Sequence, residues 1–137
     1  MIGRIDLFKV SLLVLVIAFS GCTRYILGTY VRQPKEGEEG NYGRVFVCSY
    51  PECYQMSQEV LKDMGVLIFY KNEKEHYISA MYFDRIYNKC IDTTEVGIFF
   101  KEIDENATQI NVACGNYGLA EFAADRIFSG LDEKLIK

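Results

Sequence analysis

Tryptophan is missing from this chain of 137 residues, and histidine occurs once, as His76. A lone histidine between Glu75 and Tyr77, at the edge of an expected hairpin, has no nucleophile placed beside it by sequence and assembles no acid–base constellation. There is no Cys-x-x-Cys pair: Cys48, Cys53, Cys90 and Cys114 are separated by 4, 36 and 23 residues, which does not read as a zinc set. Basic residues form no stripe with interleaved aromatics, so nucleic acid is not an expected partner. No cofactor or metal is expected. The longest apolar stretch, Val10 to Phe19, falls short of the roughly 20 residues that a membrane-crossing helix needs.

That stretch has the makeup of an export signal. Arg4 and Lys9 precede it, and small residues Ser20-Gly21 follow it and lead into Cys22. Phe19-Ser20-Gly21-Cys22 resembles the end of a bacterial lipoprotein signal. The resemblance implies cleavage before Cys22, a diacylglyceryl thioether on its sulfur and an acylated amino terminus, and two or more acyl chains give firm membrane attachment. The competing reading is an uncleaved anchor beginning near Ile5, although Arg24 opposes its extension. Thr23, where Asp would be an inner-membrane retention signal, directs the expectation to the periplasmic side of the outer membrane rather than to the inner membrane.

Loss of residues 1–21 removes two basic and one acidic residue from 15 and 19, leaving 13 against 18 and a formal charge of −5. Residues 22–43 then read as a lipidated tether, with Gly28, Pro34, Gly37, Gly40 and Gly43 among charges such as Lys35-Glu36-Gly37-Glu38-Glu39. Such composition buries too little apolar surface to offset its ordering entropy. A short piece from Tyr25 to Val31 is apolar enough to dock on the domain.

From Arg44 the pattern becomes periodic, and residues 44–137 read as one domain. Arg44 to Tyr50 is an apolar, β-branched and aromatic strand. Pro51 opens a helix with Glu52 in its first turn and Cys53, Ser57, Val60, Leu61 and Met64 on one face, stopped by Gly65. Val66 to Tyr70 and Tyr77 to Phe83 form a hairpin, Asn88-Lys89 marks a turn, and Glu95 to Ile103 pairs with Thr108 to Cys114. In the last strand Thr108, Ile110, Val112 and Cys114 alternate with polar or small residues, the period of two of a half-buried strand. After the turn Gly115 to Gly118, a closing helix from Leu119 to about Leu135 presents Leu119, Phe122, Ala123, Ile127, Leu131 and Leu135. The order β-α-β-β-β-β-α gives an α+β fold, an antiparallel sheet of about five strands with two helices on one face. Whether the other face presents Tyr70, Tyr77, Tyr82 and Tyr87 to a partner is left open.

Several of these residues resemble a family of small bacterial lipoproteins built on a domain without an assigned function. They are Cys22, Gly28-Thr29-Tyr30, Tyr50-Pro51, Leu61 to Gly65, and the block from Thr108 to Gly118 with Ala124 and Ile127. More remotely, the layout is similar to the helix-grip repeats of the outer-membrane assembly lipoprotein C. An oxidising periplasm would allow disulfides among Cys48, Cys53, Cys90 and Cys114, and four thiols allow three complete pairings. Cys48 with Cys53 and Cys90 with Cys114 are preferred. Function is expected to be that of a non-enzymatic, lipid-anchored envelope module that binds another envelope protein through a sheet face or an edge strand. The alternative is a small thiol-dependent periplasmic enzyme or redox protein, which would need an accessible thiol of low pKa.

Overall fold

A computed structural model describes residues 38–83 and 95–137. Seven elements follow the expected order: β1 (Asn41–Phe46), α1 (Tyr50–Asp63), β2 (Leu67–Asn72), β3 (Tyr77–Met81), β4 (Val96–Asp104), β5 (Ala107–Ala113) and α2 (Tyr117–Leu135). The five strands form one antiparallel sheet in the order β1-β5-β4-β3-β2, which makes it the α+β fold read from the sequence. β1 and β2 are neighbours in the chain but lie at opposite edges. α1 therefore carries the chain across the full width of the sheet, and its 14 residues, about 21 Å long at 1.5 Å per residue, match the ~19 Å across five strands.

The side chains of the sheet separate cleanly by register. Phe46, Ile78, Ala80, Val96, Ile98, Phe100, Ile110 and Val112 point to the helix side and are buried there against Val60, Leu61, Ala123, Ile127 and Leu131. Thr108 joins this layer because its hydroxyl donates to Cys48 O at 3.0 Å, so a polar atom enters the core with a partner. α2 approaches α1 closely at Gly130, where a Cβ would stand 2.7 Å from Val60 Cγ1.

Three local differences from the sequence reading have physical causes. β1 begins at Asn41, inside the stretch read as tether, and ends at Phe46 instead of Tyr50. Its register against β5 starts with Asn41 opposite Ala113, so Asn41, Tyr42 and Gly43 belong to the sheet. The strand stops early because Cys48 and Cys53 are bonded to each other, with 5.8 Å between their Cα atoms, and Ser49 already caps α1. Second, α2 starts at Tyr117, two residues before the expected position, because the Asn116 side chain accepts the Leu119 N–H at 3.1 Å and turns Tyr117-Gly118 into its first turn. Third, β2 contains a bulge between Ile68 and Tyr70. The extra residue places Ile68 on the helix side and Tyr70 on the opposite side, which strict alternation would not do.

Candidate interaction surface

The sites marked in the sequence are distributed as follows. Cys22, Tyr87, Cys90 and the Asn88-Lys89 turn lie outside the described residues. Cys48 and Cys53 form a disulfide across the turn from β1 to α1, and both residues are buried. Cys114 is buried at the end of β5, and its Sγ accepts the Asn116 N–H at 3.4 Å. Among the described residues no group of three or more His, Cys, Asp or Glu could hold a metal ion. No described helix is long and apolar enough to cross a membrane.

His76 sits in the β2–β3 turn with φ 55° and stacks on the Tyr50 ring, with centroids 3.9 Å apart and planes 28° from parallel. Its backbone carbonyl accepts the Phe100 N–H at 2.9 Å. Tyr50 in turn donates its hydroxyl to Glu73 O. Burial, reinforced by Tyr54, Glu73 and Glu102, pushes the Tyr50 phenol up to about 12. Burial also raises the Tyr54 phenol, whose oxygen has no hydrogen-bond partner among the described residues. The result is an aromatic clamp of Tyr50, Tyr54, His76 and Phe100 that fastens the N-terminus of α1 to the β2–β3 hairpin.

The carboxylates on α1 also act structurally. Glu52 accepts the Ser49 hydroxyl at 2.8 Å and the Ser49 N–H at 3.1 Å, and these two bonds lower its pKa. Glu59 and Asp63 both face Lys134 of α2, at 3.4 and 3.1 Å, and the Asp63 bond is the main reason that the Lys134 ammonium is held above its ordinary pKa. Asp63 and Lys134 border a cleft of about 390 Å³ between the helices, lined also by Val60, Met64 and Gly130.

Among the described strands, the outer strand β2 carries the most exposed large apolar residues. Leu67, Phe69 and Tyr70 are 47, 52 and 47% exposed, and among the described residues the strand pairs on one side only, with β3. An edge strand offers a row of backbone donors and acceptors that another extended chain can join. Tyr70 continues this surface onto the sheet face opposite the helices, its ring 6.1 Å from that of Tyr77, which stacks on Phe99 at 4.9 Å. Of the tyrosines flagged in the sequence, Tyr70 is therefore half-exposed at an edge and Tyr77 is buried on that face, while Tyr82, at φ 65°, lies beyond the end of β3.

Sequence reasoning placed Phe69 in a strand without marking it as a surface, and raised Tyr70 only as a residue of the open sheet face. A run such as Leu67-Ile68-Phe69-Tyr70 has no polar alternation to say which side chains face water, and the edge position comes from the long-range pairing of β1 with β5. Comparison with family models and with curated proteins finds no match to this chain.

Proposed function

We propose that this chain is a lipid-anchored cell-envelope protein, attached to the membrane through Cys22 on the periplasmic side, at the outer membrane in preference to the inner, whose domain is a non-enzymatic module that binds another envelope protein. The observation that carries the binding reading is the apolar outer edge of β2, where Leu67, Phe69 and Tyr70 stand half-exposed beside backbone groups that no other described strand pairs with. A partner segment in extended form would add a sixth strand there, with main-chain hydrogen bonds giving affinity and the side chains around Phe69 giving selectivity. The family resemblance of Cys22, Tyr50-Pro51 and the Thr108 to Gly118 block supports the envelope setting.

The thiol-enzyme alternative draws less support. Cys48 and Cys53 are joined to each other and buried, which withholds them from a substrate.

A photoreactive amino acid placed at Phe69, and in a control at Val45, tests the binding role in native membranes. The expected result is a discrete crosslinked species from position 69 and none from position 45. Equal crosslinking from both, or from neither, contradicts it. Intact mass of the membrane-extracted protein tests the anchor: cleavage before Cys22 with added acyl mass is expected, and an uncleaved, unacylated chain refutes it.

A further inference from the structure

The domain is acidic, but its positive charge is not spread evenly. Residues 38–83 and 95–137 hold eight lysines and arginines against fifteen aspartates and glutamates. Three of the eight, Arg126, Lys134 and Lys137, line the cleft between α1 and α2, where only Asp63 and Glu133 represent the fifteen. The hollow beside the N-terminus of α1 is the reverse: Glu102, Asp104 and Glu105 line it and no basic residue does. An anion is therefore drawn to the interhelical cleft and repelled from the other hollow.

The three cations differ in how they are engaged. Lys134 is tied to Asp63 and Glu59 at 3.1 and 3.4 Å, and in the last turn of α2 it also suits the negative end of the helix. Arg126 is exposed in the middle of α2, where neither reason applies. Its guanidinium lies 5.7 Å from the Phe122 ring centroid, and among the described residues no carboxylate pairs with it or with Lys137. Ser129 follows Arg126 by three residues, so the hydroxyl and the guanidinium share one face of the helix. Beside them the cleft is apolar, lined by buried Val60 and half-buried Met64 of α1. Its volume, about 390 Å³, is at the low end of small-molecule sites and too small for a phospholipid.

We infer that this cleft binds a small carboxylate with a short aliphatic chain, its carboxylate held by Arg126 and Ser129 and its chain lying over Val60 and Met64. A guanidinium offers two parallel donors that match the two carboxylate oxygens, and the serine hydroxyl can supply a third. Asp63 and Glu133 at the rim oppose a doubly charged phosphate, so a single negative charge fits best. Lys137 adds positive potential at the other end of the cleft without being needed to hold the ligand. The inference stands apart from the β2 edge, since the cleft lies between the helices.

Methyl NMR of the full chain, labelled at its methionine methyl groups and held in uncharged detergent micelles, tests this with 4-methylpentanoate as the probe. Met64 reports on the cleft, and buried Met81, on the sheet face opposite the helices, is the internal reference. The expected result is a saturable Met64 shift with an affinity in the millimolar range, as suits so few atoms, and no shift at Met81. The amine of the same shape, 4-methylpentylamine, and leucine, which adds an ammonium beside Arg126, are expected to bind much more weakly. R126Q should weaken 4-methylpentanoate about tenfold, the loss of a charge-assisted pair, and K137Q about twofold. K62Q, which removes an exposed cation of α1 that does not line the cleft, should change nothing. No saturable Met64 shift, an equal response to the amine or to leucine, an unchanged affinity in R126Q, or an equal shift at Met81 each overturns the inference.

Discussion

The two edges of the sheet meet water differently, although β1 too exposes apolar side chains, Val45 at 53% and, just past its end, Val47 at 82%. On β1, Arg44 sends both guanidinium nitrogens to Asp132 of α2 at 2.8 Å, its charge also lies 4.9 Å from the Phe46 ring, and the strand runs directly into the Cys48–Cys53 disulfide. On β2, Leu67, Phe69 and Tyr70 stand half-exposed, with a bulge between Ile68 and Tyr70 that re-aims Tyr70. A charged, tied edge discourages pairing with another chain, and a long apolar one invites it. The ion pair and the disulfide set β1 apart, and the proposed binding edge is β2. α1 links them, since it leaves the stapled end of β1 and delivers the chain to β2.

Breaking the comparison at β2 is expected to have the largest effect. Phe69→Lys puts a charge on the exposed edge without entering the core and is expected to weaken partner association by about 2 kcal/mol, ~30-fold, as for loss of a central interface residue. Val45→Lys on the other edge should leave association unchanged, and pull-down with quantified partner recovery checks both. Next comes the staple. Cys48→Ser with Cys53→Ser opens a small covalent loop and is expected to cost about 2 kcal/mol of folding stability, read as a lower denaturant midpoint. Thr108→Val, which leaves Cys48 O without its side-chain donor, is expected to cost about 1 kcal/mol in the same assay. Asp132→Asn on the exposed Arg44 pair should cost only about 0.5 kcal/mol, and less in high salt.

The aromatic clamp gives a pH signature. The Tyr50 phenol is raised from its ordinary 10.0 to about 12, so the folded state holds that proton where the unfolded chain has released it. Its contribution is full below pH 10 and is lost as the pH rises through about 12. A thermal midpoint that falls over this interval in the parent, and falls less steeply in Tyr50→Phe, is the expected outcome. Glu52 has the reverse sign: its lowered pKa means that its contribution is present at neutral pH and fades as acid protonates the carboxylate.

The element order was legible because each element carries its own period. Ile110 and Val112 alternate with Gln109 and Asn111, and Val60, Leu61, Ile127 and Leu131 recur at helical spacing; these are the residues that form the core. Element ends were less legible. Asn116 reads as part of a glycine turn until its side chain is seen to cap α2, and Val47 to Tyr50 reads as strand until the disulfide bends it away. Tyr50 and Tyr54 join the core through contacts with Phe100, a residue far along the chain that local periodicity does not reach. The candidate surface was the least legible part. Which strands lie at the edges depends on β1 crossing to β5, and the bulge at Phe69 leaves no trace in a uniformly apolar run.

Hydrogen exchange of the β2 and β1 amides, compared between the protein in its native membrane vesicles and the same protein purified in detergent, tests the central claim most directly. A strand added at β2 predicts several-fold slower exchange across Leu67–Asn72 in the vesicles, with Asn41–Phe46 exchanging alike in both. Identical β2 exchange in the two preparations, or protection gained on β1 instead, would contradict the account.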